Sequence, residues 1–507
     1  MKEDEIVKLS NPIFDEEISG ALWSLKVFKA PGPNGLHARF FQRFWLLVGE
    51  SIKKEVNQIF SSPTMSKYLD RTLITLIPKC SNPESLSNYW PISLCNTVYK
   101  VVTKMIVARI RPMLSNLISP YQTTFVPGQK GVDNVVLVQK LIHSMSRKKG
   151  RGVLVAIKIY LEKAYDRLEW SFIRDTLGLF KFPSHLISLI MSYVSTSSIS
   201  VLYNGGALEP FLPSKGIRQR DPLSPYLFIL CKEVLGVLIT EKCDAKLWDL
   251  ISASKGGLAF YHLYFANDLI LFVKADRKNC VAIRDALDSF CSLPGQKVSN
   301  VKFRAFFSPN VSTESRDELC EILGFRSTPS LGKYLAFPIK HASMHQDFRF
   351  IIERIQKRFT GWKVNLLSFA GQLVLTQSVI TTVPNYAMQS IALPTKVLSN
   401  VEKLSRNFLW GSTENKKKFH LVSWQKTTKP KSEGGLGIHV AKPENIFLLA
   451  KLNWRLKTKT PSLQCWVLHH KYRKDRRPAP AILKLQTCSN TWSVIRNGEA
   501  VFKKGSK

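Results

Sequence analysis

One ten-residue stretch constrains this 507-residue chain more than any other: Leu263-Tyr264-Phe265-Ala266-Asn267-Asp268-Leu269-Ile270-Leu271-Phe272. Two apolar, aromatic-rich arms flank the polar pair Asn267-Asp268. An Asn-Asp dipeptide tolerates the positive φ of a two-residue hairpin turn. Arms this apolar need burial on at least one face, yet the tip carries a carboxylate. The residues alone allow two readings, an ordinary surface turn or a metal ligand raised on a buried hairpin.

Charge narrows the choice. Lys and Arg outnumber Asp and Glu by 73 to 37, a net charge of +36 on a chain whose 45% hydrophobic content is that of a globular protein. Such an excess favours a polyanionic partner, because each neutralised phosphate releases counterions. A basic protein with no particular partner is the alternative. The nine cysteines include no Cys-x-x-Cys pair, which argues against a zinc cluster and a secreted disulfide framework. The N-terminus Met1-Lys2-Glu3-Asp4-Glu5-Ile6 lacks an apolar signal core. Residues 364–395 carry no charge, but their Asn, Gln, Thr and Pro content makes them a poor membrane span and suits a buried helix pair. The expectation is no membrane, and a cytoplasmic or nuclear rather than secreted protein.

Along the chain, residues 13–60 read as two helices around the loop Pro31-Gly32-Pro33-Asn34-Gly35. Leu73–Ile77 is a strand candidate. Asn96 to Leu114 keeps helical spacing behind an Asn96 or Thr97 cap. Gly152–Ile159 is β-rich, Pro222-Leu223-Ser224-Pro225 opens an apolar helix, and a further helix runs through Val281–Cys291. Helical pattern returns through 346–410. Single strands mixed with single helices predict an α+β core with a mostly helical C-terminal lobe.

Short motifs then line up in order: Lys29-Ala30-Pro31-Gly32-Pro33-Asn34-Gly35, Leu76-Ile77-Pro78-Lys79, Asn88-Tyr89-Trp90-Pro91-Ile92-Ser93-Leu94 and Lys163-Ala164-Tyr165-Asp166-Arg167. Arg218-Gln219-Arg220-Asp221-Pro222-Leu223-Ser224-Pro225, the Phe265 hairpin, Gly295-Gln296-Lys297-Val298, Lys333-Tyr334-Leu335, Phe408-Leu409-Trp410-Gly411 and Glu433-Gly434-Gly435-Leu436-Gly437 follow. Taken together they make a chain that resembles the reverse transcriptase of plant LINE-type (non-LTR) retrotransposons, a class of transposable element, over nearly its whole length to Trp492. The resemblance implies a right-hand polymerase fold of fingers, palm and thumb, RNA-directed DNA polymerisation, two Mg²⁺ ions, and an RNA template with a DNA primer, or an RNA–DNA duplex, as partner. Domain limits follow from it as a helical N-terminal extension at 1–70, fingers and palm at 71–310, a thumb-like helical region at 311–430 and a truncated C-terminal region at 431–507. A chain of this extent also lacks the endonuclease expected before the fingers, so it is not expected to retrotranspose alone.

The same resemblance names the site and exposes its losses. The family holds its metals on an aspartate ending the strand before Lys-Ala-Tyr-Asp-Arg and on an Asp-Asp pair at the hairpin tip. Those positions are Tyr160, Asn267 and Asp268 here, so only Asp268 is a carboxylate metal ligand. An amide oxygen at Asn267 coordinates without charge, and a phenol with a pKa near 10 stays neutral. Glu162 is a weak substitute, because the chain is expected to turn there. Lys79, Tyr165, Gln219 and Lys302 match nucleotide-binding positions. Trp90 replaces a phosphate-binding arginine, and Arg220 replaces a glycine that lets backbone approach the nucleotide. Asn34, Trp90, Gln129, Arg220, Asn267 and Phe303 each differ from the family residue by one G-to-A or C-to-T change, as cytosine deamination of a silenced element leaves; Tyr160 does not, and the codons test this.

Bland readings stand beside several of these residues. Asp166 is either catalytic or structural, Trp90 stacks on a base or packs in the core, and Tyr165 faces nucleotide or core. The run Lys416-Lys417-Lys418 grips template or is a solvated face, and Gly434, Gly435 and Gly437 read as turn glycines. The expectation is a reverse-transcriptase-like protein of non-LTR origin with a degenerate active site. The alternatives are a non-catalytic basic RNA- or DNA-binding protein and a non-functional remnant.

Overall fold

A computed structural model of the protein describes residues 1–472 apart from 151, 253–258, 300, 340–347, 360–366, 413–417 and 459–461. Lys416, Lys417 and everything after Tyr472, the basic pairs at 473–474 and 476–477 and Trp492 included, lie outside the described residues. Eight strands carry the fold: β1 (Thr72–Pro78), β2 (Tyr89–Cys95), β3 (Leu154–Tyr160), β4 (Ile199–Tyr203), β5 (Gly206–Ala207), β6 (His262–Phe265), β7 (Asp268–Lys274) and β8 (Arg304–Phe307). They form two four-stranded sheets, ordered β2-β1-β4-β5 and β8-β3-β7-β6. The second is antiparallel throughout.

Strand periodicity decides where that second sheet sits. Val155, Ile157 and Ile159 of β3 join Leu269, Leu271 and Val273 of β7 in one apolar cluster with helices Trp170–Leu179, Ser224–Asp244, Arg277–Ser292 and Thr313–Leu323. Ala156, Ile270 and Phe272, one residue out of phase, join a second cluster with helices Gly131–Met145, Arg349–Phe359, Thr395–Leu409 and Ala441–Lys457. The sheet is therefore a wall between two helical layers, an α+β arrangement in which every strand residue is committed to a face. The α+β class expected is the one formed, and this sheet corresponds to the palm of the right-hand fold that the resemblance implies.

The N-terminal helices share the first core: Ile18, Leu22, Ile52 and Val56 pack with Val102 and Ile106 of helix Thr97–Ile110. Arg109 fixes them with a paired bond to Glu17, Nη2 to Oε2 at 2.6 Å and Nε to Oε1 at 2.9 Å. At the other end, Arg455 of helix Ala441–Lys457 grips Asp133 of helix Gly131–Met145 through two 2.8 Å bonds.

Three local expectations need correction. Residues 13–60 hold three main helices, because the chain kinks at Phe44 between Ala38–Arg43 and Trp45–Ser61. Asn96 precedes helix Thr97–Ile110, but its side chain does not cap it; it bonds the Tyr68 and Leu69 carbonyls and the Asn34 amide instead. The uncharged segment is no buried helix pair. Its described part is helix Phe369–Leu375, a π-helical turn Thr376–Ile380 and the four-residue helix Asn385–Met388. Hydroxyls of Thr376, Ser378, Thr381 and Thr382 donate back to carbonyls four residues earlier, a habit that bends helices. No helix among the described residues is long and apolar enough to cross a membrane.

Candidate active site

The β6–β7 hairpin closes on the pair Phe265↔Asp268, so its two loop residues are Ala266 and Asn267. Asp268 is the first residue of β7 rather than part of the turn, one position off the expected register. Ala266 takes φ +48°, a left-handed conformation that costs an alanine about 1 kcal/mol. Its neighbours hold it there: its N–H donates to Thr124 Oγ1 at 2.7 Å and its carbonyl accepts from Lys232 Nζ at 3.2 Å. The open edge of β6 is covered by the segment before Thr124, with the Tyr264 N–H donating to the Tyr121 carbonyl at 2.9 Å.

Register then brings the distant position alongside. β3 and β7 pair Tyr160 directly with Asp268, so the two side chains share a face. Lys158, two residues earlier, shares it too, and its Nζ lies 4.0 Å from Asp268 Oδ1 while donating to the Lys333 carbonyl at 2.5 Å. Lys302 places its ammonium 4.1 Å from the centre of the Tyr160 ring, a cation–π contact. Positions 160, 267, 268 and 302 are thus gathered into one corner at the end of the palm sheet.

The electrostatics of that corner are inverted relative to a metal site. Asp268 is largely buried, and burial pushes its carboxyl above the usual range against the pull of Lys158, Lys232 and Lys302. Burial lowers the Lys158 ammonium, with Asp268 pulling the other way. Lys232, sealed among the rings of Phe228 and Tyr264, is pushed down to about 7 by burial. Asn267 Oδ1 is buried without a hydrogen-bond partner.

The remaining site residues fall into a second group. Tyr165 stacks on Phe228 with ring centres 4.9 Å apart, and burial raises its phenol to about 12. Gln219 Nε2 donates to Asp166 Oδ1 at 3.1 Å. Between them, Arg218 is buried over the Tyr99 ring and bonds Asp70 Oδ1 at 2.7 Å, Thr72 Oγ1 at 3.1 Å and the Tyr193 carbonyl. Asp221 accepts from the N–H groups of Leu223 and Ser224 and from the Ser224 hydroxyl, tying down the start of helix Ser224–Asp244. Arg220 sits at φ +76°, where a glycine is at ease and an arginine is strained.

Lys79 is not in the corner. It follows β1 in the other sheet, exposed, and donates to the Ser87 carbonyl at 2.7 Å. Trp90, opposite Ile77 on β2, is 54% exposed, so the core-packing reading fails. Its strand is an edge strand of its sheet. Sequence reasoning missed Lys158, Lys232 and Arg218. Lys158 carried a signal, since its i−2 spacing from Tyr160 puts both on one face. Lys232 carried a fainter one, a charge inside an apolar helix.

Comparison with known proteins fits this geometry. The profile of the family described as reverse transcriptase (RNA-dependent DNA polymerase) matches residues 77–339, and the chain belongs to that family. It is 24% identical to the "Transposon TX1 uncharacterized 149 kDa protein" of Xenopus laevis over 92% of this chain and 35% of that protein. It is 42% identical to a "Putative ribonuclease H protein" of Arabidopsis thaliana over 32% of this chain and 26% of that one. The Pol polyprotein of retrotransposable element R2DM from Drosophila melanogaster is 23% identical over 59% of this chain and 26% of its own length. The chain is thus reverse-transcriptase-like and of non-LTR, LINE-type origin, and it spans between 26% and 35% of the length of these relatives.

Divalent metal ions serve this family in general. The donors present here do not fit a pair of them. Among the described residues no three His, Cys, Asp or Glu side chains come together as a metal-holding group. Glu162 does not complete one: the strand pairing runs on through Leu161↔Val298, the Glu162 N–H bonds the Lys297 carbonyl, and the chain then turns at Lys163, φ +43°. One carboxylate and one amide oxygen face three lysines, a set that repels cations.

Proposed function

We propose that this chain descends from a non-LTR reverse transcriptase and no longer polymerises DNA, while still holding nucleic acid. The single observation behind the first half is the register pair Tyr160↔Asp268 with Asn267 beside it. This is where the resemblance calls for carboxylates on Mg²⁺. Two metal ions would activate the primer hydroxyl and steady the leaving pyrophosphate, and carboxylate charge is what clamps them. With a phenol and an amide in two of three places, the clamp lacks most of its charge. Each 1.36 kcal/mol of lost transition-state stabilisation is about tenfold in rate.

The roles follow residue by residue. Asp268 is the remaining ligand, Tyr160 and Asn267 are degenerate ligand positions, and Lys79, Tyr165, Gln219 and Lys302 are the nucleotide-facing set carried over by resemblance. Arg220 in a left-handed backbone position and exposed Trp90 in place of a phosphate-binding arginine weaken nucleotide binding further. The net charge of +36 supports the second half, an RNA template, DNA primer or RNA–DNA duplex as partner.

Primer extension on an RNA template tests the reading, with Mg²⁺ and with Mn²⁺, beside the Tyr160→Asp/Asn267→Asp double variant. The expected result is no extension by the wild-type chain. Extension at a rate comparable to the double variant's overturns the proposal. Binding is tested separately by titrating an RNA–DNA duplex against salt, where a steep fall in affinity is expected.

A further inference from the structure

We infer that the corner around Asp268 binds a phosphate group directly through lysine ammonium groups, with no divalent ion. The inference rests on the reading that the metal clamp is lost, and it concerns what occupies the vacated chemistry. Three lysines converge on a single carboxylate. Lys158 reaches Asp268 at 4.0 Å, Lys232 supports the hairpin through the Ala266 carbonyl, and Lys302 lies over the Tyr160 ring.

Availability differs among the three. Lys232 is fully buried and serves the turn. Lys158 is mostly covered, but two of its three ammonium protons remain after its bond to the Lys333 carbonyl. Lys302 is exposed, and Arg304, on the same face as Lys158 through the β8–β3 pairing, is exposed beside it. Tyr160 adds a phenolic hydroxyl that can donate to a phosphate oxygen, where an aspartate would repel it. Its ring also steadies the Lys302 ammonium at the mouth of the corner.

A metal pair works by standing between carboxylates and phosphate. Here the carboxylates are reduced to one, and fixed ammonium groups already supply the positive charge. A phosphate in the corner meets cationic donors, and an incoming divalent ion meets repulsion. The phosphate has two possible sources, a backbone phosphodiester of a bound duplex or the triphosphate of a free nucleotide.

The test measures binding by fluorescence anisotropy, in excess EDTA and again in Mg²⁺, for a labelled RNA–DNA duplex and for a labelled deoxynucleoside triphosphate. Expected for the wild-type chain is an affinity that differs less than about twofold between EDTA and Mg²⁺ for at least one probe. Lys302→Ala is expected to weaken that probe in EDTA by roughly five- to tenfold and to flatten its salt slope by about 1, as loss of one phosphate contact does. Lys302→Arg keeps most of the binding. Lys54→Ala, an exposed lysine of helix Trp45–Ser61, controls for overall charge and changes affinity less than about twofold. Tyr160→Asp/Asn267→Asp turns the metal-independent binding into binding that needs Mg²⁺.

Duplex binding alone identifies the phosphodiester, and nucleotide binding alone identifies the triphosphate. A wild-type affinity that collapses tenfold or more in EDTA for both probes overturns the inference. So does a Lys302→Ala chain, folded by its melting curve, that binds like wild type. Wild-type primer extension instead overturns the underlying reading, so the two failures are told apart.

Discussion

Two regions of the molecule carry motifs from the same ancestry and have met different fates. Around Arg218 the buried polar network holds: the guanidinium bonds Asp70, Thr72 and Tyr193, and Asp221 secures the following helix. Around Asp268 the backbone frame is as well built, with the β3–β7 register and the Ala266 turn in place, but two of the three expected carboxylates are absent. The difference separates what a fold needs from what a reaction needs. A buried guanidinium cannot be lost without stranding its partners in a dry interior. Catalytic carboxylates crowd like charges together, so the fold loses nothing when a tyrosine and an asparagine take their places.

The largest expected effect comes from breaking the intact region. Arg218→Met leaves Asp70, 2% exposed, without its counter-charge and should cost about 3–5 kcal/mol in chemical denaturation. A loss under 1 kcal/mol would erase the contrast between the two regions.

One buried carboxylate strains the rule. Glu233 accepts the Ser119 N–H at 3.1 Å, yet its other oxygen has no partner, and burial pushes the group up to about 7. Its folded pKa is raised, so the stability it contributes is full below about pH 4.5 and is lost as pH rises through 7, by about 3 kcal/mol at most. Glu233→Gln should flatten the stability–pH curve over that window. An unchanged curve would remove Glu233 from the account.

The smallest effect sharpens the other side. Arg220 holds φ +76° with its side chain in solvent. Arg220→Gly should therefore stabilise the chain by about 1 kcal/mol, seen as a raised Tm. Gly216 shows the constraint at full strength nearby: at φ +88°, a Cβ there would lie 2.8 Å from the Asp166 carbonyl.

Much of this was legible in the sequence. The β-rich run at 152–159 and the apolar arms around Asn267-Asp268 marked the strands and the hairpin, and the ordered motifs, through the resemblance they carry, implied the meeting of positions 160 and 268. What stayed hidden depended on partners far along the chain. The hairpin register slipped by one because Asp268 is held in the ladder by β3, which no local turn rule sees. Trp90 had a core-packing reading beside a stacking one, but on an edge strand with β1 alone beside it the indole is left 54% exposed. The helix pair expected across 364–395 failed on hydroxyls that bond back to their own backbone. The three lysines come from a strand, a helix and a loop, and only the fold brings them to Asp268.

The central claim is that the corner at Tyr160, Asn267 and Asp268 no longer holds a pair of divalent ions. Titrating Mn²⁺ into the protein, followed by electron paramagnetic resonance, measures this without nucleotide or template. The wild-type chain is expected to show no site tighter than millimolar, and Tyr160→Asp/Asn267→Asp at least one that is roughly tenfold or more tighter. Two ions bound by the wild-type chain as tightly as by that variant would contradict the claim.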